Sequence, residues 1–207
     1  MLIPRESPYL KGLNSYYLHL DRLVEHMQGE IGSGCVHCSA PGKEMLVYFT
    51  EQELISCLIQ DSDQPVAESV SFATVQDAFI RASFVVQIFQ IAPHAIFFWA
   101  QMPPFQRASA SLRSSEIPLP DLIFRLRMKQ FSGFIDVQLV EKKDSAILFF
   151  HEGERIGGSY TWGSGGLSTT NEDYNTLLSR VQSAEGIFTF GSYLRKGAQD
   201  VETEKLS

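Results

Sequence analysis

Residues 20–36, LDRLVEHMQGEIGSGCV, and residues 119–135, LPDLIFRLRMKQFSGFI, are one pattern written twice. In the first, Leu20, Leu23, Val24 and Met27 follow the i, i+3, i+4, i+7 spacing of a single helical face, and Ser33-Gly34 closes the stretch. In the second, Leu119, Leu122, Ile123 and Leu126 take those places and Ser132-Gly133 closes it, every position displaced by the same 99 residues (20 to 119, 33 to 132). A register of that length without a gap reads as an internal repeat.

Working outward, each Ser-Gly is followed by an alternating run, a short polar break and a second apolar run. In the second copy these are GFIDVQLV, EKKDS and AILFF, then the turn HEGERIGGSY, in which Gly153 sits where positive φ is wanted. The first copy has GCVHCS, APGKE, MLVYF and TEQELISCLI, so both copies predict a three-stranded antiparallel meander. Residues 168–183, STTNEDYNTLLSRVQS, predict a helix opened by a capping box from Thr169 to Glu172, with GIFTFGSYL as the closing strand. In the first copy the apolar stripe Phe72, Val75, Phe79, Ala82, Val86 and Phe89 predicts a longer helix over 72–91, with AIFFWAQM as closing strand.

The fold class expected is therefore α+β, with two related copies of helix, meander, helix and closing strand. The first copy takes residues 1–102 and the second 117–195. PPFQRASASLRSSE (103–116) has the Pro, Ser and charge content of a linker, and KGAQDVETEKLS (196–207) reads as a disordered tail.

Seventeen Lys+Arg against 24 Asp+Glu give the 207-residue chain a net charge of −7, which disfavours nucleic acid or an anionic membrane as the main partner. No apolar run reaches the ~18 residues of a membrane span and the amino terminus has no secretory pattern, so a cytoplasmic protein is expected. Three cysteines suit a reducing compartment.

The residues IPLPDLIFRLRMKQFSGFIDV and ILFFHEGERI, with Gly186, Phe188 and Phe190 in a later G-x-F-x-F strand, resemble the PATAN family, the amino-terminal domain of PatA-type response regulators. The resemblance covers about Leu119 to Leu194, and Leu20 to Met102 more weakly through the repeat. It implies a non-enzymatic protein-interaction adaptor or regulator of bacterial signal transduction, partnered by a response regulator, a kinase or a motility component. The chain carries no receiver domain, so a phosphorylated partner is a separate protein.

Phe72, Phe79, Phe89 and Trp99, with Trp162 in the glycine-rich loop, are the expected partner-binding residues, as a partner or homodimer seam; the competing reading makes the same stripe the core shared by the two copies. Cys35, His37 and Cys57 are the candidate metal ligands of an alternative small-molecule or metal-binding sensor. Cys35 and His37 share a strand face that Cys38 leaves, so no cofactor or metal is expected. The cluster Gly163-Ser164-Gly165-Gly166 lacks the Lys-Ser or Lys-Thr of a phosphate cradle and reads as a mobile loop. His19, His26, His37, His94 and His151 stand in no triad context, and His151-Glu152 reads as a surface turn, so no catalytic residue is expected.

Overall fold

The computed structural model describes residues 1–140 and 142–194. Along them run β1 (Leu10–Asn14), α1 (Leu20–Ile31), β2 (Gly34–Ala40), β3 (Lys43–Phe49), β4 (Leu54–Asp61), β5 (Glu68–Val70), α2 (Phe72–Arg81), β6 (Val85–Gln90) and α3 (Ile96–Ala100). These are followed by β7 (Phe105–Arg113), α4 (Leu119–Met128), β8 (Gly133–Leu139), β9 (Ser145–His151), β10 (Glu154–Tyr160), α5 (Asn171–Ser183) and β11 (Gly186–Tyr193). The protein is α+β, with two antiparallel sheets in the orders β1-β6-β2-β3-β4-β5 and β7-β11-β8-β9-β10. Among the described residues no helix is long and apolar enough to cross a membrane. The tail expected over 196–207 lies outside the described residues.

Leu20, Val24 and Met27 of α1 and Val75 and Phe79 of α2 bury themselves against Val36, Cys38, Met45, Val47 and Ile88 on one face of the first sheet. Leu119 and Leu122 of α4 and Leu177 and Val181 of α5 do the same against Ile135, Val137, Leu148 and Phe150 of the second. The opposite faces meet each other: Cys35, Leu46, Tyr48 and Phe89 share a core with Phe134, Ile147 and Phe149, and α3 is wedged between them. The layers are thus helices, sheet, sheet, helices. Strands β2, β3, β8 and β9 each run five buried residues in a row, because both faces of the central strands are covered. Each large apolar side chain so buried contributes about 1.5–3 kcal/mol before chain entropy is counted.

The repeated Ser-Gly has a steric cause. A Cβ at Gly34 would lie 2.3 Å from the carbonyl oxygen of Phe89, and one at Gly133 would lie 2.1 Å from that of Gly191. In each sheet, then, the meander's first strand crowds the backbone of its neighbour, β6 or β11, where only glycine fits. The preceding serines act alike too: the carbonyl of Ser33 accepts from the Ile91 amide and that of Ser132 from the Tyr193 amide, both at 3.1 Å. At the β9–β10 turn Glu152 and Gly153 take φ of +49° and +83°.

Several expectations are corrected. The helix over 72–91 stops at Arg81, and β6 follows from Val85, because Phe84, Val86 and Ile88 are better served by two-residue alternation against α1 and α2. AIFFWAQM is not a strand: Ile96, Trp99 and Ala100 lie inward at i, i+3, i+4 on α3. Within the segment read as a linker, Phe105–Arg113 forms β7 and pairs with β11. Most of β7 is exposed because it is an edge strand, so its polar composition imitates a linker. The capping box does not form; the N-cap position falls one residue later, at Thr170, whose side chain caps no backbone amide, and the Ser168 hydroxyl donates to Asp173 Oδ2 at 2.6 Å. The glycine-rich loop is pinned rather than free: the Gly165 carbonyl accepts from the Ala92 amide at 3.0 Å and that of Gly166 from Trp99 Nε1 at 3.1 Å.

Candidate functional site

The five aromatic residues expected at a partner surface are scattered, and most are internal. Phe79 is buried under α2 and stacks on Phe84 with ring centroids 6.1 Å apart. Phe89 and Trp99 are buried between the sheets, where Trp99 meets Phe149 edge to face at 5.5 Å. Phe72 is half-buried against the α1–α2 core, and Trp162 is half-buried with the Arg180 guanidinium 4.0 Å from its ring. The stripe is therefore no docking face: once the chain turns at Ala82, its apolar residues divide between two cores.

The candidate metal ligands are likewise separated. Cys57 stands opposite Val47, on the helix side of the first sheet with Cys38. Cys35 stands opposite Tyr48, on the inter-sheet side, and His37 shares that side by alternation. The sheet's own backbone lies between Cys35 and Cys57. Among the described residues no group of three or more His, Cys, Asp or Glu is placed to hold a metal ion. Burial pushes all three thiols up, Cys38 to about 12 and Cys57 to about 11, so they stay protonated and weakly nucleophilic near neutral pH.

His37 is buried with neither ring nitrogen hydrogen-bonded, and desolvation lowers its pKa despite the nearby Glu44 carboxylate, which raises it. The unfolded chain therefore takes up a proton near pH 6.5 that the folded chain refuses, so stability falls as pH drops through and below that value. Glu6, raised by burial, has the opposite sign: its ionisation costs stability as pH rises above the ordinary carboxylate range. His37→Leu is expected to flatten the acid-side loss when urea midpoints of variant and parent are compared at matched pH, where the Glu6 contribution cancels. Parallel curves from pH 7.5 to 5.5 would contradict this reading.

Two features remain that could engage another molecule. The first is a cleft of about 550 Å³ between the sheets, at the β4–β5 side. Its floor is the inner face of the first sheet, including Leu46, Tyr48 and Leu58, and its wall is the chain from Trp99 to Phe105. Ser56 Oγ, on the floor, donates to the Ala100 carbonyl at 3.0 Å and so ties wall to floor. Met1, Leu2, the β4–β5 loop and Leu194 complete the lining, and no lining residue carries a charged side chain.

The second is the outward face of α4. Phe124 and Met128 lie one turn apart, 64% and 71% exposed, although the inward face of the same helix is well buried. Arg125 and Lys129 are exposed beside them, Arg127 pairs with Glu154 at 2.8 Å, and Asp121 is the acidic residue of the first turn. Both apolar residues fall off the Leu119, Leu122, Ile123, Leu126 stripe. Their signal in the sequence is the helical projection of residues 119–128, whereas aromatic residues are densest over 72–99.

Comparison of the chain with family models, with curated proteins and with solved structures finds no match.

Proposed function

We propose that the chain is a non-enzymatic protein-interaction adaptor or regulator of bacterial signal transduction, built from two tandem PATAN-like copies. Support for two copies comes from the repeated sequence and from the corresponding strand orders, β1-β6-β2-β3-β4, with β5 added at the far edge, and β7-β11-β8-β9-β10, each placing the strand before the first helix at one edge. The close glycines Gly34 and Gly133 and the matching hydrogen bonds of Ser33 and Ser132 add independent support. On this reading each copy also owns a leading strand, β1 or β7, outside the expected element list.

The observation that carries the interaction reading is the α4 face. Large apolar side chains this exposed on the outer face of a helix gain nothing from the fold, and flanking cations on a chain of net charge −7 select an acidic surface. The partner is an acidic protein segment carrying apolar side chains that cover Phe124 and Met128. It is a response regulator, kinase or motility component.

The test is capture of partners by purified chain, mass-spectrometric identification, and measurement of the identified acidic protein's affinity for parent and Phe124→Glu/Met128→Glu chains. Substitutions at such exposed positions typically change stability by only about 0.5 kcal/mol, so the variant folds. Affinity is expected to fall by roughly tenfold or more, and to weaken with added salt in the parent. A partner bound equally by both chains overturns the assignment. Phe79→Asp is unsuitable, since it places a charge in the α1–α2 core.

A further inference from the structure

We infer that the cleft between the two sheets binds a small, uncharged, largely apolar molecule that presents one hydrogen-bond donor. Protein interiors leave few voids larger than a water molecule, and beside the cleft the inter-sheet layer obeys that rule, with Trp99, Phe98 and Phe149 in edge-to-face contact. Towards β4 and β5 the packing opens into about 550 Å³, within the range of roughly 300–1,000 Å³ that small-molecule sites occupy. The lining comes from five separate parts of the chain, so the opening belongs to the tertiary fold and not to one loop.

The chemistry of the lining narrows the ligand. The chain carries 17 Lys+Arg and 24 Asp+Glu, yet no such side chain lines the cleft. The one charge carried by a lining residue, the Met1 ammonium, is already paired with the Glu44 carboxylate at 2.6 Å, so an anionic or cationic ligand would lose its hydration there without gaining a free counter-charge, which disfavours phosphates, carboxylates and amines. The polar groups are few and partly committed. Ser56 Oγ is engaged with Ala100, and Gln60 Nε2 donates to the Gln64 carbonyl at 3.2 Å. Tyr48, Ser69 and Gln101 also bring polar groups to the lining, and Gln60 Oε1 accepts no hydrogen bond within the described chain, so an acceptor on the floor suits a hydroxyl or amide N–H of the ligand. Leu46, Leu58, Trp99, Met102 and Phe105 take its apolar body.

The inference is independent of the α4 assignment, and one titration separates them. N-phenyl-1-naphthylamine is uncharged, apolar and carries one N–H; its sulfonated analogue 8-anilino-1-naphthalenesulfonate has the same ring skeleton with a fixed negative charge. The full chain is expected to bind the neutral probe at one site with micromolar affinity, with energy transfer from Trp99, and the sulfonate roughly tenfold more weakly. Ser69→Phe, at an exposed cleft-lining position on β5, is expected to reduce neutral-probe affinity roughly tenfold while leaving the circular dichroism spectrum unchanged. Phe124→Glu/Met128→Glu is expected to bind the probe as the parent does. Any of three results overturns the site: no neutral-probe binding, as when another part of this chain fills the cleft; equal affinity in Ser69→Phe; or sulfonate binding as tight as neutral binding.

Discussion

Trp99→Ala is expected to remove about 3–5 kcal/mol of stability, the cost of truncating a fully buried tryptophan. Against a total of about 5–15 kcal/mol for a folded domain, that is enough to bring the chain close to unfolding at 37 °C. The effect is large because Trp99 joins three parts of the fold at once. It is 1% exposed, lies on α3 against the first sheet, meets Phe149 of the second sheet at 5.5 Å and donates to the Gly166 carbonyl of the β10–α5 loop. Truncation enlarges the cleft that Trp99 borders, between two sheets that do not readily close the gap, and leaves the Gly166 carbonyl without its donor. Trp99→Phe keeps most of the ring contact and loses the hydrogen bond, so its cost is expected to be nearer 1–2 kcal/mol, on the order of one unmade buried hydrogen bond. Urea denaturation followed by far-UV circular dichroism measures both, and a loss below about 1 kcal/mol for the alanine variant would mean that α3 does not hold the sheets together.

The α+β class was legible because α1 and α4 each carry an apolar stripe at helical spacing and because β2–β3 and β8–β9 are broken by polar turns with Gly42 or a Lys-rich break. Two strands were not. The stripe Phe79, Ala82, Val86, Phe89 satisfies a helical period, while Phe84, Val86 and Ile88 satisfy a strand period over the same residues; the break at Ala82-Ser83 decides between them, and no residue there is a strong breaker. Strand β7 has no apolar face to advertise, since it borders solvent and is held by backbone pairing to β11.

The layer order was equally hidden. A strand covered on one side alternates, but Met45 to Phe49 and Ala146 to Phe150 are apolar throughout, and such runs do not reveal what lies on the second face. The cleft has the same difficulty in stronger form. Leu2, Leu46, Leu58 and Trp99 stand far apart along the chain, and nothing local marks them as neighbours. Phe124 and Met128, by contrast, needed only the helix register.

Asp136→Ala is expected to cost about 2–3 kcal/mol, because it removes the buried carboxylate of a part-buried ion pair and leaves the partner charge uncompensated. Asp136 lies on β8 with its side chain 4% exposed, paired with Arg5, whose side chain is 23% exposed. Across the sheet it stands in register with Ile147, which in turn faces Ser159; the Ser159 hydroxyl accepts from the Arg5 amide and donates to Glu6, both at 2.8 Å. These contacts strap the segment before β1 across the inner face of the second sheet. Arg107 approaches Asp136 only to 3.7 Å and is 43% exposed, so Arg107→Ala is expected to cost about 1 kcal/mol or less, including its contacts with the Phe105 and Phe134 rings. Combining Arg5→Ala with Asp136→Ala is expected to cost less than the two separately, with a coupling of roughly 1–3 kcal/mol. Equal losses for Asp136→Ala and Arg107→Ala would show that the strap is held by something else. The strap also places Met1 and Leu2 in the cleft lining, so loosening it withdraws part of the ligand's apolar surroundings. Asp136→Ala is accordingly expected to weaken neutral-probe binding as well as stability, whereas Arg107→Ala leaves the probe affinity unchanged.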